Sequence, residues 1–183
     1  MLKRFFLLLL VLILASFSDR KLVKTKVNAQ ISVSLPKEFS PMTPEDLVQR
    51  YPSVRAPLGA YTNPDRLVDF SVNISATQWP DANADFARKF FKATIFNMYD
   101  RVDWISEGTE TIHKKNFFYF EFESRLNPDR QNVSAQDALN RYTYIMYLVE
   151  PGRTLVFSFN CTKDQKEYWQ ETAKAIMHTV RVK

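Results

Sequence analysis

The stretch Arg141-Tyr142-Thr143-Tyr144-Ile145-Met146-Tyr147-Leu148-Val149 runs into Glu150-Pro151-Gly152-Arg153 and out again through Thr154-Leu155-Val156-Phe157-Ser158-Phe159-Asn160-Cys161. Two runs rich in aromatic and β-branched residues around Pro-Gly spell a β-hairpin. Proline presets φ at the first central position of a type II turn, and glycine supplies the positive φ at the second. The first arm is apolar on both faces, with Tyr142, Tyr144, Met146 and Leu148 on one and Ile145, Tyr147 and Val149 on the other. Such a strand must be covered from both sides, so it lies inside a sheet with cover on each face.

Working outward, Asn116–Leu126 is a second long strand, with Phe118, Phe120 and Phe122 on one face. Its other face carries Phe117, Tyr119, Glu121 and Glu123, and the two carboxylates read as a wet sheet surface. Val102–Ile112 is extended as well. Before it, residues 83–100 change to a helical period, with Phe86, Ala87, Phe90, Phe91, Thr94, Ile95 and Met98 on one broad face. Val68, Phe70, Val72 and Ile74 alternate with Asp69, Ser71, Asn73 and Ser75, the pattern of a strand with one wet face.

Thr43-Pro44-Glu45-Asp46 supplies an N-cap, a proline at the first helical position and an acidic first turn for a short helix. Ile31–Leu35 is the first strand, and prolines and Gly59 break residues 52–66 into a loop with a short strand near Tyr61. At the other end Thr162-Lys163-Asp164-Gln165 has the form of a capping box. It opens a helix whose buried stripe is Trp169, Ala173, Ile176, Met177 and Val180. Residues 127–140 form the longest polar interruption, within which Ser134 could cap a single helical turn. The order predicts the α+β class: an α/β/α sandwich whose mainly antiparallel sheet of about six strands is flanked by helices.

In this arrangement the chain resembles the PsbP/Mog1-like fold family, to which exported bacterial proteins of the DcrB type also belong. The resemblance rests on Leu35-Pro36-Lys37-Glu38-Phe39 after the first strand, on Leu155–Phe159 in the hairpin and on the closing Trp169…Ile176-Met177 helix. It implies a fold and non-catalytic company, and it carries over no functional residue.

The N-terminus sets location. Lys3 and Arg4 precede an unbroken apolar run from Phe5 to Ala15, the form of a secretory signal and short for a bilayer crossing. Residues 1–29 are therefore expected to be a signal peptide, or an uncleaved anchor to the inner membrane through residues 5–17. Cleavage is expected after Ser18 or after Ala29. Residues 30–183 are then one extracytoplasmic domain, periplasmic or secreted, carrying 19 of the 25 Lys and Arg and 19 of the 20 Asp and Glu. That neutral balance argues against nucleic acid as a partner and leaves membrane contact to the N-terminal segment.

Chemistry is sparse. The two histidines, His113 and His178, stand apart from each other and from the lone Cys161, so no metal-ligand spacing exists. Three scattered glycines build no phosphate loop. No cofactor and no enzymatic activity are expected. The reading is a non-catalytic, protein-binding accessory factor of the bacterial cell envelope, its partner an envelope protein; the alternative is a carrier of a small apolar ligand or lipid. Binding is expected in the polar loops, through Arg55, Tyr61, Arg125 and Arg130, since arginine and tyrosine are common interface anchors.

Overall fold

The computed structural model describes residues 20–51, 55–79, 83–127 and 139–183. In chain order the elements are β1 (Leu22–Lys26), β2 (Ile31–Pro36), β3 (Ser40–Pro41), α1 (Pro44–Arg50), β4 (Gly59–Thr62), β5 (Val68–Ile74) and α2 (Ala84–Met98). There follow β6 (Arg101–Ile112), β7 (Lys115–Leu126), β8 (Leu139–Glu150), β9 (Arg153–Thr162), a 3-10 turn (Lys163–Gln165), α3 (Lys166–His178) and β10 (Arg181–Val182). Seven strands form one antiparallel sheet in the order β3-β4-β5-β9-β8-β7-β6. The expected six become seven, and β1-β2-β10 make a separate three-stranded sheet.

The hairpin forms as its sequence dictates. Glu150 pairs with Arg153 across Pro151-Gly152, and Gly152 takes the positive φ of 76°. β8 is an inner strand, and its two faces enter two different cores. Tyr142, Tyr144, Met146 and Leu148 join Phe157, Phe159 and β2 beneath α3, while Tyr147 joins Phe118, Phe120 and Phe122 beneath α2. The sandwich is α/β/α. From α3, Trp169, Ala173, Ile176 and Met177 are buried, and Val180 after the helix is buried too. Thr43 caps α1, with Asp46 completing a capping box.

The structure adds to some expectations and corrects others. The chain that sequence assigned to the leader includes β1, which pairs residue for residue with β2 from Leu22↔Pro36 to Lys26↔Ser32. Its Lys24 and Lys26 read as flanking charges of a signal, but lysines are also how an edge strand discourages further pairing. Glu121 does not sit on a wet surface. It is 1% exposed beneath α3, accepting from Ser106 Oγ at 2.6 Å, Tyr142 Oη at 2.9 Å and Gln170 Nε2 at 2.6 Å. Three donors compensate the burial of its carboxylate and fix the helix's register on the sheet.

The polar face of β5 is likewise buried at Asp69 and Ser71. Arg50, at the end of α1, pairs with the Asp69 carboxylate and also donates to the Arg66 carbonyl. The Thr162–Gln165 pattern opens the 3-10 turn rather than α3, and Thr162 makes no side-chain cap bond. Ser18, Arg130 and the Ser134 turn lie outside the described residues.

Candidate functional site

Helix α2 starts at Asn83, whose side chain accepts from Phe86 N at 3.0 Å. Ala87, Phe91 and Ile95 recur every four residues and are buried against the sheet. Phe91 stacks on Tyr147 with ring centroids 4.4 Å apart, and Tyr147 stacks on Phe118 at 4.9 Å. These contacts complete the core on this side.

A second apolar series runs along the same helix. Phe86 is 63% exposed, Phe90 41% and Phe96 61%, with Ala93 exposed between them. At 100° per residue these four fall within an arc of about 120° on the side away from the sheet. The broad single face read from sequence is thus two faces, one buried and one in solvent. Trp79 joins them: its ring meets Phe86 at 5.6 Å, Phe90 at 5.5 Å and Phe91 at 6.3 Å, each edge to face. Phe86 and Phe90 are therefore held against a fixed partner. The Trp79 indole N–H is buried and has no hydrogen-bond partner among the described residues.

Lys89 is exposed within the outer series. Lys92 pairs with Glu107 at 2.7 Å and lies 5.1 Å from the Trp104 ring centroid. At the C-terminal end of α2, Asp100 N donates to the Arg125 carbonyl at 3.0 Å, and the Asp100 carboxylate accepts from Asn127 N at 2.7 Å. Arg125, exposed at the end of β7, is thereby placed beside the helix.

Of the other residues expected to bind, Arg55 and Tyr61 are not gathered there. Arg55 is exposed in the segment before β4. Tyr61 is buried, which corrects the expectation that it stands free in a loop. It lies opposite Phe70 in the β4–β5 ladder, and directly opposed residues share a face, here the core face. The outer aromatic series was the residue set missed, though its signal is present: residues 86–96 hold more large apolar side chains than one stripe can bury.

The two histidines, distant in sequence, line one cleft. No group of three His, Cys, Asp or Glu side chains that could hold a metal ion occurs among the described residues. Cys161 is buried on β9, and no helix among the described residues is long and apolar enough to cross a membrane.

No family model matches the sequence, and no curated protein matches it. Solved structures do resemble it in fold. Cyanobacterial PsbP (CyanoP) from Synechocystis superposes with a TM-score of 0.59 at 10% identity, over 92% of this chain and 96% of that one. LpqN of Mycobacterium tuberculosis, described as involved in cell envelope biogenesis, gives 0.56 at 12% identity, over 88% and 90%. The Ran-binding protein Mog1p of Saccharomyces cerevisiae gives 0.54 at 11% identity, over 90% and 96%. The chain has the PsbP/Mog1-like fold.

Proposed function

We propose that this chain is an exported, non-catalytic accessory factor of the cell envelope that docks on a partner protein through the outer face of α2. The observation carrying this reading is that α2 is apolar on two opposite sides. The inner one is buried on the sheet, while the outer one, met among the described residues by Trp79, still leaves Phe86, Phe90 and Phe96 exposed. A helix apolar all round belongs in an interior. Burying a phenylalanine side chain contributes about 1.5–3 kcal/mol. Three such rings then offer enough to offset much of the loss of freedom on association.

Phe86, Phe90, Ala93 and Phe96 follow the i, i+4, i+7 spacing of a helix laid in an apolar groove. Lys89 stands exposed within the series, so the complementary partner surface is an apolar groove that offers a carboxylate to it. The basic and apolar N-terminal segment supports export. The fold shared with an envelope-biogenesis protein and with a Ran-binding protein supports an accessory, binding role.

Site-specific photocrosslinking in the native host checks this. A crosslinker at Phe90 or Phe96 should trap one discrete protein adduct, absent when it is moved to exposed Thr111 and lost on Phe86→Ser. Adducts with lipid would favour the carrier reading instead. An adduct equally strong from Thr111 would remove α2 as the docking face.

A further inference from the structure

Lys24, His113, His178 and Arg181 come from four separate elements and converge on one cleft of about 280 Å³. Its floor is the outer face of the small sheet. β2 turns Ile31, Val33 and Leu35 into the core, which leaves Ser32 and Ser34 on the opposite face. Lys24 pairs with Ser34, while Lys26 and Arg181 flank Ser32 on either side. Directly opposed residues share a face, so the two hydroxyls lie in a row of cations.

The wall is built by the end of α3 and by the β6–β7 turn. Thr179 Oγ1 accepts from Ser34 N at 2.8 Å and donates to the Ile176 carbonyl at 2.7 Å, which ties the helix end to β2. His178 lies beside it, with Nε2 at 2.9 Å from the Glu110 carboxylate. His113 and Lys114 are the two loop residues between Ile112 and Lys115, with φ of 46° and 68°. Both positions favour glycine or asparagine in such a tight hairpin. Here a histidine and a lysine are held in the left-handed region instead, and the histidine lines the cleft. Unfavourable backbone of this kind gathers at functional sites.

Among the described residues no carboxylate lines the cleft itself, and the nearest one named here, Glu110, lies against His178 Nε2. The C-terminal end of α3 opposes an anion with a partial charge of roughly −0.5. Even with the single charge of Glu110 added to it, the full charges of Lys24 and Arg181 outweigh it. Residues 20–183 carry 23 of the 25 Lys and Arg against 19 of the 20 Asp and Glu. The excess comes from Arg20, Lys21, Lys24 and Lys26, in or just before the strand that edges this floor.

We propose that this cleft binds a phosphate monoester or diester. An arginine fork, an ammonium group, the His113 imidazole and two serine hydroxyls come from different elements, as a multidentate tetrahedral oxyanion requires. Such a group could belong to a free organic phosphate or to a lipid headgroup. The space exceeds what a bare phosphate ion fills, which leaves room for the organic part.

Calorimetric titration of the full chain in a mild non-ionic detergent at low salt tests the assignment, with inorganic phosphate, glycerol 1-phosphate and dihexanoyl phosphatidylglycerol as probes. At least one organic phosphate should bind saturably and more tightly than inorganic phosphate. Lys24→Gln and Arg181→Gln should each weaken it about tenfold, the worth of one charge-assisted hydrogen bond. Lys89→Gln, on the outer face of α2, should change nothing and so reports general charge effects. Tighter binding of the short-chain lipid assigns a headgroup; a preference for glycerol 1-phosphate assigns a free ester. Absence of saturable binding by all three probes, or equal weakening in all three variants, overturns the proposal.

Discussion

Phe90 and Phe91 are chain neighbours whose rings meet edge to face, centroids 5.4 Å apart at 81°, yet Phe91 belongs to the core and Phe90 to the surface. One helix position separates a ring buried on the sheet from one left 41% exposed. Only the inner ring stacks on Tyr147. Phe91→Ala should therefore lower stability by about 3–5 kcal/mol. Phe90→Ser should change it by no more than about 1 kcal/mol while weakening partner capture. Urea unfolding of both variants separates the cases. A Phe90→Ser chain that unfolds as early as Phe91→Ala would return the outer ring to the core.

Arg20 lies across two aromatic rings of α3, its guanidinium carbon 3.7 Å from the Trp169 centroid and 3.9 Å from that of Tyr168. Glu38 adds an ion pair at 3.6 Å, and Trp169 itself packs near Phe159 at 5.9 Å. Arg20→Ala should cost about 1–2 kcal/mol, and Trp169→Ala about 3–5 kcal/mol.

The same contacts bear on processing. A mature chain starting at Gln30 would lose Arg20 and all five pairs of β1 with β2. Cleavage after Ser18 keeps them. Intact-mass measurement of the extracytoplasmic fraction should find a first residue at Asp19. A native chain beginning at Gln30 that melts no earlier than one beginning at Asp19 would show that β1 is dispensable.

Local signals were legible. The Pro151-Gly152 turn, the Thr43 cap and the Trp169–Val180 stripe each state their structure within one turn or one helix. What covers a face was not. Alternation put Glu121 on the face opposite Phe120 and Phe122, but nothing in the strand said that Ser106, Tyr142 and Gln170 would converge on it. Tyr61 is the same case, since its exposure depended on how β4 pairs. β1 was hidden because Lys24 and Lys26 follow an apolar run and so read as leader, while its partner strand lies beyond a turn. The histidine cleft depends on contacts between elements distant in sequence, which no spacing rule encodes.

Cys161 gives a simple chemical check. It is buried on β9, and burial, with Asp164 and Asp69 adding to it, pushes its thiol up to about 12. Thiolate is the reactive form, so the folded chain should resist alkylation by iodoacetamide at pH 8 and react once in denaturant. Rapid labelling under native conditions would mean that β9 opens locally.

Acid stability should depend on two carboxylates with opposite signs. Hydrogen bonds from Lys163, at 2.6 Å, and Lys166, at 2.7 Å, hold Glu123 below its ordinary value of 4.5. The unfolded chain then binds the proton more readily than the folded one. Glu123 contributes stability above about pH 4.5, which is lost as pH falls through its lower folded value. Burial drives Asp69 the other way, above its ordinary 3.8, against the pull of Arg50. In the window above 3.8 the folded chain is the better proton binder, so acidification there is stabilising at that site. Urea midpoints measured from pH 6 down to pH 3 should fall less steeply for Glu123→Gln than for the unmodified chain. A Glu123→Gln curve parallel to the unmodified one would mean that the two lysines do not hold the carboxylate in solution.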